Sequence, residues 1–341
     1  MFKIWSLFLL TSFLTAGCGS EDTANNNENS GIEAGDLQTG RAETVDIPDF
    51  NEDSAYHFID KQVSFGPRVP NTEGHEKCGD YLYEKLSEYA DEVIRQETRV
   101  RAFDGTPLNI MNIEATLYPE YEERILLCAH WDTRPYADFA DDPDRRMEPI
   151  PGANDGGSGV GVLLELARIL KDHDPGVGID IVLFDAEDYG VPHFKSHEYH
   201  DDDSWGLGSQ YWSRNLDREH KPEKGILLDM VGATGSRFLY EGYSMQYASA
   251  FTREVWENAH QLGHSRYFIK NRTIPITDDH YYVNTIAGIP TINIIDHDQS
   301  TRQMGFGDYW HTHDDDMDII SKRTLNAVGE TVLKTIFTMN K

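Results

Sequence analysis

Four short apolar runs, at 125–129, 179–184, 225–228 and 290–295, each lead straight into acids or histidines. The first is followed by His130, Trp131 and Asp132, the second by Asp185, Ala186, Glu187 and Asp188. The third meets Asp229, and the fourth Asp296 and His297. The runs are rich in Ile, Leu and Val and do not alternate, as expected of strands covered on both faces. Helical stretches at 73–90, 157–171, 208–218 and 246–262 lie among them. This order predicts an α/β fold with a mostly parallel central sheet sandwiched by helices, in a single domain over 46–341. Open sheets of this kind bind ligands beyond the carboxyl ends of their strands. One Asp after a strand usually caps a helix or makes a turn. Four such sites in one chain point instead to a metal centre.

Five segments carry the chemistry: HWDTRP at 130–135, GANDGGSGVG at 152–161, FDAED at 184–188, ITDDH at 276–280 and WHTHDD at 310–315. Asp155 sits in an Asn-Asp-Gly-Gly turn, where glycines allow tight geometry and close approach of a ligand. Glu187 and Asp188 are neighbours after a strand, so on extended backbone their side chains diverge, one free for metal and the other for proton transfer. A catalytic zinc takes three protein ligands and keeps one position open, and Asp155, Asp188 and His311 supply such an N/O set.

The order and spacing of these segments, from about Phe65 to the C-terminus, resemble the zinc-dependent aminopeptidase and glutaminyl cyclase family. That resemblance implies a zinc-aminopeptidase-like fold with metal ligands Asp155, Asp188 and His311 and general base Glu187. It departs from the commoner pattern in having Asp rather than Glu at 188. Two-zinc aminopeptidases also use the positions of His130 and Asp229, so a second metal site is compatible with the ligand types. GPRVPNTEGH at 66–75, HWDTRP, and Trp310 directly before His311 resemble the bacterial glutaminyl cyclases in particular. In those enzymes the first Asp of D-D-H, here Asp278, pairs with the position of Asp229, which makes Asp229 less available to metal. The resemblance therefore implies one Zn2+ and conversion of N-terminal glutamine of peptides or proteins to pyroglutamate, with Asp278 and Asp229 catalytic and Trp310 and Trp205 in the substrate pocket. The alternatives are a two-zinc aminopeptidase and, from another class, a non-catalytic surface lipoprotein of the same fold. Asp279 and His280 read as structural, and His313 to Asp316 and HEYHDDD at 197–203 as solvated loop.

With 30 Lys and Arg against 59 Asp and Glu the net charge is −29, which disfavours nucleic acid as a partner. Residues 1–18 pair Lys3 with an apolar run over 4–14, too short to span a bilayer with confidence, then small residues 15–17 and Cys18. This resembles a bacterial lipoprotein signal and predicts an exported protein whose lipidated Cys18 is its only membrane contact, on the periplasmic side or at the cell surface. Residues 19–45 are polar and nearly free of large apolar side chains, and read as a flexible tether. Cys78 and Cys128 then remain, and export permits a bridge between them without establishing one. The segment 134–151 either frames the pocket or binds an ion.

Overall fold

Strand β3 (Arg124–His130) shows why its run lacks alternation: Ile125, Leu127 and Ala129 enter a large core on one face of the sheet, while Leu126 and Cys128 enter a second core on the other. Strands β4 (Gly178–Phe184) and β5 (Lys224–Asp229) divide in the same way, Ile181 and Leu228 to the large core, Val182 and Leu227 to the smaller. The computed structural model describes residues 46–199, 203–217, 221–301 and 304–339. The expected signal (1–18) and tether (19–45) lie outside the described residues, and residues 45–341 form one compact unit.

The sheet has six strands in the order β1-β2-β4-β3-β5-β8, where β1 is Glu92–Arg101, β2 is Pro107–Leu117 and β8 is Thr291–Ile295. Strands β4, β3, β5 and β8 are mutually parallel, and β1 and β2 are added antiparallel at one edge. All four apolar runs are therefore the parallel strands of the sheet. The antiparallel pair has no counterpart in the sequence reading. Its outer strand is polar and nowhere fully buried, so it carries no apolar run and is held by its ladder to β2.

Helices α1 (Glu52–Val63), α2 (Glu73–Tyr89), α3 (Gly157–Leu170) and α8 (Lys322–Thr338) contribute to the large core. Helix α4 (Leu207–Asn215) covers the other face with Trp212. The expected helix over 246–262 is two helices, α5 (Gly242–Tyr247) and α6 (Ser249–Gln261). The break falls at Ala248, whose φ of −139° and ψ of 41° are not helical. A parallel pair, β6 (Phe238–Tyr240) and β7 (Phe268–Arg272), stands apart from the main sheet. Cys78 and Cys128 are free, buried thiols on opposite faces of the sheet, so the sheet itself keeps them from bridging.

Helix α3 lies close against the ends of β3 and β5. A Cβ at Gly159 would stand 2.1 Å from the Leu228 carbonyl oxygen and 2.9 Å from Ala129 Cβ, both on packed strands. Gly159→Ala is therefore expected to destabilise the fold by about 1–3 kcal/mol through overpacking, read as a lower Tm. An unchanged Tm would show that α3 can move away without cost.

Candidate metal centre and active site

Each expected site residue sits at or just beyond the carboxyl edge of the parallel strands. His130 ends β3, and its Nε2 lies 3.0 Å from Asp155 Oδ1 and 3.2 Å from Asp229 Oδ1, at the end of β5. Asp155 is held in the turn before α3, whose N-cap is Gly156 at φ +83°. A Cβ at 156 would lie 2.4 Å from the Asp132 carbonyl oxygen, so only glycine lets this turn press onto the β3 extension. Asp155 does not cap α3, which has no side-chain cap. Its second oxygen, Oδ2, faces His311 Nε2 at 3.7 Å, and that nitrogen is 3.4 Å from Asp188 Oδ1.

Two groups of donors result, Asp155 with Asp188 and His311, and His130 with Asp155 and Asp229, within 4.8 Å in each case. Asp155 presents one oxygen to each. Donors bound about 2.0–2.1 Å from a tetrahedral zinc are about 3.3 Å from one another, close to these separations. Asp188 Oδ2 is buried without a hydrogen-bond partner among the described residues, as a ligand oxygen would be. The residues present thus fit a divalent cation in chemistry and in spacing.

Electrostatics argues in the same direction. Burial, then the charge of Asp155, pushes Asp188 up to about 6. Burial, then the charge of Asp278, pushes Asp229 up to about 7. Burial also lifts Glu187 well above the usual carboxylate range, with Asp278 and Asp188 adding to the shift. For His130 burial opposes the charged form, yet hydrogen bonds to Asp132, Asp155 and Asp229 raise it well above an ordinary histidine. So many buried carboxylates cannot all ionise together, and a metal ion is the charge that would allow it.

Asp278 stands in the same pocket as Asp229. Its Oδ2 accepts from Asn293 Nδ2 at 2.6 Å and its Oδ1 from the Asp279 N–H at 2.5 Å, and it acts on Asp229 through its charge. Asp279 and His280 are buried on the short helix α7 (Asp279–Tyr282); His280 donates to Glu241 at 2.9 Å, which suits a structural role for His280, whereas neither carboxylate oxygen of Asp279 has a hydrogen-bond partner among the described residues. Trp310 stacks on His311 with ring centroids 3.8 Å apart, and Trp205 stacks over the same imidazole at 6.2 Å. A Cβ at Gly190 would fall 2.2 Å from the Trp205 ring, so glycine there makes room for it. These groups, with Phe306 and Ile276, enclose a pocket of about 160 Å³. That is below the ~300–1,000 Å³ of drug-sized sites and suits one side chain with its α-amine.

Three buried acids that the sequence reading left without a role build this geometry. Asp132 accepts from the N–H groups of Glu187 and Asp188, at 3.0 and 3.1 Å, and so ties the β3 extension to the acid pair. Asp185 accepts from the N–H groups of Met111 and Ala186 and pairs with His75 at 2.8 Å. Asp315 accepts from the N–H groups of Asn154 and Asp155, at 2.7 and 3.0 Å. This corrects the expectation of a solvated loop over His313 to Asp316 at one residue: Asp315 is fully buried, where it satisfies those two backbone donors. The H-x-D spacing and the acids that close WHTHDD are the sequence signals for Asp132 and Asp315. Of the HEYHDDD stretch, residues 200–202 lie outside the described residues, and the described 197–199 are exposed or half-buried.

The model of Peptidase family M28 matches residues 112–336. A crystal structure of Tannerella forsythia glutaminyl cyclase is 49% identical, covering 85% of this chain and 99% of that one with a TM-score of 0.83. A Zn-dependent exopeptidase from Parabacteroides distasonis is 47% identical, covering 86% of this chain and 100% of that one with a TM-score of 0.84. Aminopeptidase YwaD of Bacillus subtilis is 26% identical over 80% of this chain, and the chain spans about half, 54%, of that relative's length.

Stripping metal with a chelator should lower Tm, and zinc at 100 times its Kd should restore about 2.7 kcal/mol of stability. Asp155→Ala should abolish that shift, since it removes a donor common to both groups. A wild-type protein whose Tm ignores both chelator and zinc would exclude a metal centre here.

Proposed function

The chain belongs to peptidase family M28, and we propose that within it the protein is a zinc-dependent glutaminyl cyclase, converting N-terminal glutamine of peptides or proteins to pyroglutamate with release of ammonia. The observation that carries this reading is the small pocket in which two tryptophans and Asp278 face Glu187 and the donor group of Asp155, Asp188 and His311. Relatives named as glutaminyl cyclases, at nearly half identity over nearly their whole length, support it.

Zinc bound by Asp155, Asp188 and His311 would polarise the side-chain amide carbonyl as a Lewis acid. The stacked faces of Trp310 and Trp205 hold the substrate side chain curled towards its own amine, which turns a bimolecular encounter into an intramolecular one. Glu187 takes the proton of the attacking α-amine and returns it to the departing nitrogen. Its burial raises its affinity for a proton, which suits a group that must take one from an amine. Asp278, backed by Asp229, accepts hydrogen bonds from the amide nitrogen that leaves. No water is consumed.

A second reading is favoured by one observation, the group of His130, Asp155 and Asp229 beside the first. With a second zinc there, Glu187 would activate water against the first peptide bond, and the protein would be an aminopeptidase. One zinc is proposed because the segments around Asp278 and Trp310 resemble those of the glutaminyl cyclases rather than those of the two-zinc enzymes.

A short peptide beginning with glutamine, incubated with the zinc-loaded protein, should yield a product lighter by one ammonia in a mass spectrum. Glu187→Gln should slow this by roughly 10²–10⁴-fold while zinc content is kept. Loss of the whole first residue, with two zincs per chain, would replace the cyclase reading by the aminopeptidase one. A Glu187→Gln protein as fast as the wild type would remove Glu187 from the mechanism.

The basic, apolar and small-residue sequence ahead of Cys18 supports export as a lipoprotein, with 19–45 as its tether. Cells fed a radiolabelled fatty acid should label the protein, and Cys18→Ser should remove the label. Labelling that persists in that variant would overturn the anchor assignment.

A further inference from the structure

The segment 134–151 begins with a buried ion pair directly behind the metal donors. Arg134 and Asp138 are both buried and meet through two hydrogen bonds, Nε to Oδ1 at 2.9 Å and Nη2 to Oδ2 at 2.8 Å. Arg134 Nη1 donates to the Asp188 carbonyl at 2.9 Å, and its guanidinium lies 4.6 Å from the centre of the Trp205 ring. Asp138 Oδ1 is 3.2 Å from His311 Nδ1, a buried nitrogen otherwise without a hydrogen-bond partner among the described residues, and the next residue's N–H donates to the His311 carbonyl at 3.2 Å. One pair thus touches two donors from different loops and one wall of the pocket.

We infer that Asp138 is a positioning residue for the metal: it accepts the Nδ1–H of His311 and so turns the bare Nε2 towards the ion, while Arg134 holds that carboxylate in register with Asp188 and Trp205. A histidine ligand has one proton to place, and the acceptor at Nδ1 decides which nitrogen is left for metal. If 134–151 only framed the pocket, packed apolar side chains would serve as well as a desolvated ion pair. The inference rests on reading His311 as a metal ligand and needs no assumption about which N-terminal reaction follows.

The test is zinc affinity of the purified protein by competition with a chelator, with Tm measured in parallel on the metal-free form. Asp138→Asn should weaken zinc binding about 10–100-fold, whereas Glu148→Gln, at an exposed position of the same segment, should leave it unchanged. The double variant Arg134→Met with Asp138→Leu removes both charges together. It should regain Tm relative to Asp138→Asn and still bind zinc weakly, an outcome that a merely structural staple does not produce. Asp138→Asn binding zinc as tightly as the wild type, or a double variant that regains affinity along with Tm, would overturn the inference. A wild type that binds no zinc would sink the metal reading itself, and this inference with it.

Discussion

The structure depends on a concentration of buried carboxylates at one edge of the sheet. Asp132, Asp155, Asp185, Asp188, Asp229, Asp278, Asp279 and Asp315, together with Glu187, are all less than a tenth exposed. Like charges at such close quarters in a poorly solvated place repel strongly, and desolvation penalises each of them separately. The fold answers in two ways. Some of the acids accept backbone N–H groups and become clamps. Asp155, Asp188 and Asp229 converge on His130 and His311 in the spacing that a divalent cation requires.

The clamps explain why the donors are where they are. Asp132 fixes the backbone of the Glu187–Asp188 pair and Asp315 that of Asp155, so donors from separate loops are set by buried hydrogen bonds rather than by loop preference. Strain accompanies this. Ala186, Met230 and His311, each at or next to a site residue, have φ of 53°, 48° and 54°, a region that disfavours side chains. Such conformations persist only where the surroundings over-determine them, and at Ala186 the clamps of Asp185 and Asp132 on its own and the next N–H do so.

What separates amine attack from water attack is a small matter of pocket shape on a common scaffold. Two donor groups that meet in Asp155 would serve either chemistry, which is why fold alone leaves the reaction open. The pocket is lined by aromatic faces and has room for about one side chain, which favours a substrate folded back on itself. The position of Trp205 depends on a glycine at 190 and on Arg134 beneath its ring, so the wall of the pocket and the metal donors belong to one packed unit.

The parallel strands, the acids and histidines that follow them, and the adjacency of Trp310 to His311 are legible in the sequence alone. These are local: a doubly covered strand must be apolar throughout, and a residue one step past it must lie at the carboxyl edge. The α/β sandwich could be read for that reason, and so could the place of Glu187 and Asp188 beyond β4, while the proposed donor set of Asp155, Asp188 and His311 and the proposed base role of Glu187 rest on the family resemblance as well. Which acids are clamps and which can bind metal follows from long-range contacts, because Asp132 meets its partners 55 and 56 residues away and Asp315 meets Asp155 across 160. The tertiary structure also sets the antiparallel edge pair, whose polar outer strand is held by pairing rather than by burial, and the role of Arg134 and Asp138. An acid's function here depends on which donor it faces, and that is set by contacts between distant segments that no local pattern records.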